Sequence, residues 1–336
     1  MSSTQAGALN EVKSVAPINR SKLSFALGDV VFKFTALFFA LVVLMLLAGI
    51  IVMLVKGSLP AFEAFGPGFI TSDEWDPVRE LYGAWPSLTG TLVAALIAML
   101  IGLPLSFGIA VFITEMAPQW LKRPVGTAVE LLAAVPSIIY GMWGLFFFAP
   151  FFAAYIQPGL VAALGPLPIF GTLFQMPVMG GSSGVSVLTA GIVLAIMIVP
   201  FMASVIRDVF EIVPGSLKES AYAMGATTWE VVWNVVLPFT KTGVVGGIML
   251  GLGRAIGETM AVTFIIGNAS QLGSSLLDPG TTIAAKLANE FNEADGLQMD
   301  SLIAMGLILF VITFIVLMLS KLMLMRLAAT QEGSKT

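Results

Sequence analysis

The stretch FTALFFALVVLMLLAGIIVMLV, from Phe34 to Val55, runs for 22 residues without a charge. A helix needs about 20 predominantly apolar residues to cross the hydrocarbon core of a bilayer, so this stretch predicts a transmembrane helix. It is longer than the apolar core of a cleavable signal peptide, which has roughly 7–15 residues. We therefore expect it to remain in the membrane.

Five further segments are long and apolar enough to do the same: Leu88 to Phe112, Thr127 to Phe148, Ser186 to Val205, Val244 to Ile266 and Leu302 to Met325. Of the 336 residues, 57% are hydrophobic and only 11% are charged, whereas soluble domains have about 25% charged residues. These features predict an all-α fold, a polytopic membrane helical bundle with six transmembrane helices. We expect the apolar but proline-interrupted stretch from Phe151 to Gly184 to be an interfacial or re-entrant excursion on the outer side.

The basic residues are distributed unevenly between the two sides of this bundle. Twelve fall in the N-terminal tail, the second-to-third loop, the fourth-to-fifth segment and the C-terminal end, whereas the opposite side has only Lys56, Arg79 and Lys286. The positive-inside rule then places both termini in the cytoplasm. We expect cytoplasmic tails at residues 1–33 and 327–336 and a transmembrane domain at 34–326.

Composition also limits the chemistry. The chain has no Cys and no His, which excludes thiol chemistry, disulfides, Cys/His metal sites and the usual general base. We expect no catalytic residue, no metal site and no nucleic-acid partner. The outer loops at 73–80 and 290–300 are acidic, and they are either a solvated exterior face or a docking surface for an external partner.

The segment at 207–242, between the fourth and fifth predicted spans, has the pattern of a helix, a glycine turn and a second helix. Leu217, Ala221 and Met224 recur at i, i+4 and i+7 and predict one narrow apolar face. Gly225 is a natural C-terminal stop, and Thr227 or Thr228 can cap a second helix at the membrane surface. Such a unit is either a structural elbow on the membrane or a docking element for a cytoplasmic partner.

A charged pair, Arg254 and Glu258, lies inside the fifth predicted span. Four residues apart on one helix, the two side chains are expected to share a face and form an ion pair near the middle of the membrane. Ionisable groups at this depth face the bundle interior or a water-filled path. The pair either fixes helix packing or lines a translocation path, where arginine suits a phosphate-like oxyanion. The glycines at 243, 247 and 251 are expected to allow close helix packing.

The segment from Glu219 to Pro238 resembles the EAA loop of ABC importer permeases. It follows the order E-x-A-x-x-x-G, nine residues, an aliphatic residue, one residue and then L-P, and departs only in Ser220, where that family usually has Ala. In the family this loop contains the coupling helix, which fits into a cleft of the ATP-hydrolysing subunit. The resemblance implies that role for five residues here: Leu217, Glu219, Ala221, Met224 and Gly225.

The string GRAIGETMAV, from Gly253 to Val262, resembles the fifth-span motif of phosphate-importer permeases of the binding-protein-dependent ABC family. Pro136 to Gly141 and Leu194 to Pro200 carry further matches, and the resemblance covers almost all of residues 34–326. The continuation after Glu258 is similar to the C-type rather than the A-type permease of such systems. The resemblance implies a translocation path lined by three residues: Arg254, Glu258 and Thr259.

The resemblance implies a type I ABC importer in the bacterial cytoplasmic (inner) membrane, surrounded by lipid. The chain would form a heterodimer with a homologous permease and bind two ATPase subunits and an external phosphate-binding protein. The sequence has no G-x-x-x-x-G-K-[ST] loop, so ATP and Mg²⁺ are expected on the separate ATPase and no cofactor in this chain. Three alternatives remain open: a sulfate or molybdate permease, the A-type partner, and a self-contained secondary transporter or channel.

Overall fold

The computed structural model describes residues 22–168, 171–177, 183–271 and 273–332, most of which are helical. The α-helices are α1 Lys22–Phe65, α2 Gly68–Thr71, α3 Trp85–Val111, α4 Gln119–Ala133, α5 Ser137–Trp143, α6 Ala149–Phe151, α7 Gln157–Leu164, α8 Val187–Glu211, α9 Gly215–Ala223, α10 Thr228–Val231, α11 Leu237–Ile256, α12 Met260–Ile265, α13 Ile283–Glu290 and α14 Gly296–Glu332. Four further stretches are π-helical: Phe112–Met116, Gly144–Phe148, Phe152–Ile156 and Val232–Val236. Strands β1 (Trp75–Asp76) and β2 (Leu81–Tyr82) pair antiparallel.

Six helical stretches of the described chain are long and apolar enough to cross a membrane, which confirms the predicted number. They are Gly28–Phe65, Trp85–Met116, Ser137–Leu164, Val187–Glu211, Thr228–Ile256 and Gly296–Leu322. The chain divides into two compact units, one ending at Met53 and one beginning at Leu54, and the second contains five of these stretches entirely. The first 21 residues of the predicted N-terminal tail and the last four of the C-terminal tail lie outside the described residues.

Helix α8 forms the centre of the core in the second unit, where it packs along α3. Small residues bring the two helices close together: a Cβ added at Gly191 would lie 2.7 Å from the Ile97 side chain. The Ser106 hydroxyl of α3 also donates a hydrogen bond of 3.1 Å to the Val199 carbonyl of α8. Because α8 is covered by protein on most of its surface, its sequence is apolar around nearly the whole helix.

The glycine stripe of α11 packs against the same helix. An added Cβ would lie 2.6 Å from the Val209 side chain at Gly243 and 3.1 Å from the Val205 side chain at Gly247. At Gly251 it would meet the Met202 side chain. These contacts confirm that the repeated small-residue spacing serves close helix packing.

The third predicted span, Thr127 to Phe148, is displaced in the structure. Helix α4 ends at Ala133, and Pro136 is the N-cap of α5 rather than a residue inside one continuous span. Proline lacks an amide hydrogen and is therefore tolerated where a helix begins. The span runs instead over Ser137–Leu164, so the first part of the predicted excursion at 151–184 belongs to a membrane-spanning helix.

The fifth predicted span, Val244 to Ile266, is displaced in the opposite direction. Its helix begins at Thr228 and ends at Ile256, so the second helix of the 207–242 segment is the start of the span rather than a separate surface helix. Pro238 does not break the chain, because it lies in the first turn of α11, directly after the π-helical stretch Val232–Val236. A proline cannot donate a hydrogen bond to the preceding turn, and here it follows a stretch that already departs from α-helical hydrogen bonding.

Candidate functional site

The predicted site residues lie at an interruption between two helices. Helix α11 ends at Ile256, Gly257 has φ −90° and ψ 2°, and α12 begins only at Met260. Because a shared face at i and i+4 requires a continuous helix, the predicted face common to Arg254 and Glu258 does not exist. The ion pairs formed by the described residues include neither of these two side chains, so the predicted ion pair is wrong.

The Arg254 side chain lies in the last turn of α11 and is held by an aromatic ring. Its guanidinium carbon lies 5.3 Å from the centroid of the Phe201 ring on α8, which is within the range of a cation–π contact. Its Nε atom is buried and has no hydrogen-bond partner among the described residues. A buried donor without a partner is costly, so the site has an unused hydrogen-bonding group.

Glu258 and Thr259 have local partners within the interruption. The Glu258 carboxylate accepts a hydrogen bond of 3.3 Å from the Ala261 amide in the first turn of α12. The Thr259 hydroxyl donates a hydrogen bond of 3.4 Å to the Gly257 carbonyl. Gly257 and Thr259 also line an open cleft of about 420 Å³, together with residues of α13 and α14. Glu258 therefore supports the start of α12 and does not neutralise Arg254.

Tyr140 on α5 and Phe201 pack against the same apolar core. The Tyr140 hydroxyl donates a hydrogen bond of 3.0 Å to the Leu132 carbonyl. An arginine with no carboxylate partner keeps its full charge, and its planar fork matches two oxygens of an oxyanion. The arrangement is therefore suited to bind an anion reversibly.

The 207–242 segment contains the predicted turn between two helices. Gly225 has φ +89°, and its amide donates a hydrogen bond of 2.9 Å to the Tyr222 carbonyl at the end of α9. Thr227 then caps α10 in a capping box with Glu230. The helix, glycine turn and capped second helix are thus confirmed, although α8 extends to Glu211 and shortens the connection.

The predicted apolar face of α9 is divided between the core and the surface. Ala221 is buried in a cluster with residues of α3, α8 and α11. Leu217 and Met224 are 44% and 84% exposed, and Glu219 and Gly225 are exposed as well. One side of α9 is therefore anchored to the bundle, and the other is free to contact a partner.

A second polar cluster ties the β-hairpin to α13. The Lys286 ammonium lies 2.8 Å from a Glu290 carboxylate oxygen and 4.6 Å from the centroid of the Trp75 ring, and it donates to the Ser270 hydroxyl. The Trp75 indole and the Gln298 amide both donate to the other Glu290 oxygen. Burial lowers the pKa of Lys286 below its ordinary value of 10.5, and the hydrogen bond to Glu290 opposes this shift. Glu290, which was expected in an acidic outer loop, is thus held by this cluster and is not purely solvated.

Among the described residues, no group of three or more acidic side chains could hold a metal ion. Sequence reasoning overlooked Phe201, which reads as an ordinary apolar residue of a buried helix. It also overlooked the interruption at Gly257, although a basic residue in the last turn followed by glycine is a known signal for the end of a helix.

Residues 102–328 match the family described as "Binding-protein-dependent transport system inner membrane component". The Phosphate transport system permease protein PstC of Pasteurella multocida (strain Pm70) is 56% identical over 323 residues, covering 96% of this chain and 99% of the relative. The protein of the same name from Haemophilus influenzae is 57% identical over 300 residues, covering 89% of this chain and 94% of the relative. A crystal structure of a bacterial ABC transporter involved in the import of the polysaccharide alginate has a TM-score of 0.54 at 17% identity, covering 88% of this chain and 96% of that one.

The chain belongs to the family of binding-protein-dependent transport system inner membrane components. It is a multi-pass membrane protein and a transporter permease rather than an enzyme. The solved structure is too distant in sequence to indicate a substrate, but its fold agrees with the predicted six-helix bundle of the type I ABC importer permease class.

Proposed function

We propose that this chain is the membrane-spanning permease subunit of an ATP-driven importer of inorganic phosphate. The names of its relatives support phosphate as the cargo. The observation that carries the proposal is the state of Arg254, a guanidinium with a buried, unsatisfied Nε and no carboxylate partner among the described residues. Phosphate supplies the acceptor oxygens and the negative charge that this side chain lacks.

The same geometry supports passage as well as binding. A permeation site must attract the ion and also release it. Arg254 is held by the face of Phe201, a contact that is worth about 0.5–2 kcal/mol and leaves the charge in place. Glu258 is turned towards α12, where it lends a negative charge near the path without occupying the arginine. Thr259, at the same interruption, is the third residue proposed for the path.

ATP-dependent transport requires a contact with a separate ATPase, and α9 is the element proposed to make it. Its exposed residues, which include Leu217, Glu219 and Met224, form the side turned away from the bundle. The sharp turn at Gly225 fixes the direction in which the chain returns to the fifth span. ATP and Mg²⁺ would bind to two such ATPase subunits, and this chain would hold neither.

The remaining partners follow from the proposed orientation. The surplus of basic residues at the α9 side supports cytoplasmic termini in a bacterial inner membrane. The opposite side then carries the acidic hairpin of β1 and β2, where an external phosphate-binding protein would dock. A homologous permease would form the other half of the translocation path as a heterodimer.

The central experiment measures radiolabelled phosphate uptake in vesicles that contain the whole complex, with sulfate and molybdate as competitors. We expect ATP-dependent uptake that unlabelled phosphate suppresses and the other two anions do not. Equal suppression by sulfate or molybdate would identify a permease for another oxyanion. Uptake without ATP would identify a self-contained transporter and contradict the proposal.

The site is tested by Arg254→Gln and Arg254→Lys in the same vesicles. Losing a charge-assisted hydrogen bond costs about 1.5–3 kcal/mol, so we expect Arg254→Gln to reduce uptake by one to two orders of magnitude while the complex still assembles. Arg254→Lys keeps the charge but not the planar fork, so its uptake rate should lie between those of the wild type and Arg254→Gln. Lys241→Gln, also on α11, is the matched control. Uptake by Arg254→Gln at the wild-type rate would exclude an essential role in the path.

A further inference from the structure

A buried ion pair connects α9 to the end of the second span. The Lys218 ammonium lies 2.6 Å from a Glu115 carboxylate oxygen, and only 17% and 4% of the two side chains are exposed. The residues are 103 positions apart in the sequence. Exposed ion pairs contribute little, but a buried pair is strongly coupled, because removing one partner leaves the other as an uncompensated buried charge.

Glu115 lies in the π-helical stretch Phe112–Met116, which forms the last turn of the second span. Single π-helical turns within α-helices are rare and occur frequently at functional sites. Thr114, in the same turn, accepts a hydrogen bond of 2.6 Å from the Lys122 ammonium of α4 through its carbonyl oxygen. The end of the second span is thus held by side chains from two neighbouring helices.

The contacts that Ala221 and Lys218 of α9 make with the bundle differ in kind. Ala221 packs into the apolar cluster below the helix, and such a contact tolerates sliding. The Lys218–Glu115 pair is directional, because its hydrogen bond depends on the relative position of two atoms. Of the ion pairs in the described part of the chain, this is the one that involves α9.

We propose that Lys218 and Glu115 are positioning residues that transmit the displacement of α9 to the second span. The proposal rests on the proposed function, in which α9 contacts the ATPase. Movement of α9 would pull Glu115 and, through the π-helical turn, the end of α3, which packs along the central helix α8. Without the pair, α9 would still bind the ATPase through its exposed side but would move without carrying the second span.

The test compares Glu115→Gln and Lys218→Gln with Arg123→Gln in vesicles that contain the full complex. Arg123 lines the same cavity as Lys218 but forms no ion pair within the described structure. The measured quantity is the number of phosphate ions taken up per ATP hydrolysed, corrected for the amount of assembled complex. We expect this ratio to fall about 5–150-fold in Glu115→Gln and Lys218→Gln, the factor to which typical coupling free energies correspond. It should stay unchanged in Arg123→Gln.

A purely structural role would lower the amount of complex but leave the ratio intact in the fraction that assembles, and that result would overturn the proposal. The absence of cysteine from the sequence permits a second test. The double variant Glu115→Cys, Lys218→Cys should lose coupling, and a short bis-maleimide should restore it by replacing the ion pair with a covalent link. Cross-linked complex that stays uncoupled would contradict the proposal. A wild-type complex that takes up no phosphate would overturn the proposed function. Normal wild-type uptake with an unchanged ratio in the variants would overturn only the coupling role of Lys218 and Glu115.

Discussion

Arg254 is paired with the face of the Phe201 ring, at 5.3 Å from its guanidinium carbon, and not with the carboxylate four residues further along the chain. The ring restrains the side chain without neutralising it, because an aromatic quadrupole attracts a cation but carries no net charge. A carboxylate in the same position would occupy the donors that an incoming anion needs. Phe201 therefore restrains Arg254 and leaves its donors available for the anion that we propose passes there.

Replacing Phe201 tests this role. Phe201→Leu keeps an apolar side chain but removes the cation–π contact, which is worth about 0.5–2 kcal/mol. We expect the KM for phosphate to rise roughly 2–30-fold, because a free arginine must be ordered when the anion binds. Phe201→Tyr preserves the ring and should remain close to wild type. An unchanged KM in the leucine variant would mean that the ring does not orient Arg254.

The turn at Gly225 should be sensitive to a single methyl group. Its φ of +89° is costly for any residue with a Cβ, by roughly 1–2 kcal/mol. In Gly225→Ala we expect the amount of ATPase that co-purifies with the permease to fall about 5–30-fold, the effect of that free energy on an equilibrium. Gly215→Ala, at the other end of α9, is the matched control. Equal losses in the two variants would show that the conformation of Gly225 is unimportant.

The glycine stripe of α11 offers a pair of variants that differ only in their surroundings. A Cβ at Gly243 would lie 2.6 Å from the Val209 side chain, whereas at Gly246 nothing lies within 4 Å. Valine is β-branched and cannot easily change rotamer in a helix, so we expect Gly243→Ala to cost about 1–3 kcal/mol. Gly246→Ala should be neutral or slightly stabilising, since alanine is the better helix former. Thermal unfolding of the purified permease, followed by fluorescence, distinguishes the two outcomes.

The buried Lys286 makes stability depend on alkaline pH. Its pKa is lowered by burial, so in the window between the lowered value and 10.5 the unfolded chain binds more protons than the native one. Stability should therefore gain from Lys286 as the pH rises through this window. Burial and nearby carboxylates, Glu80 first, raise the pKa of Tyr82. This shift lowers the stability as the pH rises, so it opposes the effect of Lys286.

The contribution of Lys286 is isolated by comparison with Lys286→Met. The variant leaves Glu290 with only neutral donors, and we expect it to lose up to about 3 kcal/mol at neutral pH, at the lower end for a broken buried pair because Glu290 is partly exposed. The difference in unfolding temperature between wild type and variant should widen as the pH rises through the window between the lowered pKa of Lys286 and 10.5. A difference that narrows with pH would contradict the sign of the shift.

Periodicity and length were sufficient to predict six spans because a bilayer demands long uninterrupted apolar segments. The errors arose at two prolines. Pro136 was expected inside the third span but is the N-cap of α5. Pro238 lies within the helix of the fifth span, directly after a π-helical stretch, although that span was expected to begin only at Val244. Local sequence does not distinguish these roles, because they depend on which backbone amides are already without partners in the folded chain.

The residues of the candidate site follow from the sequence, and their role stays a prediction, whereas their geometry did not follow from it. Arg254 follows from its charge alone, since an ionisable group within an apolar segment is rare. Its partner could not be inferred, because Phe201 lies on another helix and resembles every other apolar residue around it. The same limit applies to Glu115, which meets Lys218 only through the tertiary fold. The glycine turn at Gly225 was predicted correctly, since a turn of this kind is encoded locally.

The π-helical stretch Val232–Val236 sets the rotational phase of the fifth helix. Each residue advances an α-helix by about 100°, so the wider turn determines the azimuth at which everything downstream emerges. Because a π turn absorbs about one extra residue, deleting one residue there would regularise the helix and leave the stripe of Gly243 and Gly247 facing α8. Deleting one residue from the α-helical turns that follow would instead rotate that stripe by about 100° away from α8 and carry Arg254 around with it. The fifth helix should therefore tolerate a change of length at its π-helical stretch far better than in the α-helical turns that follow.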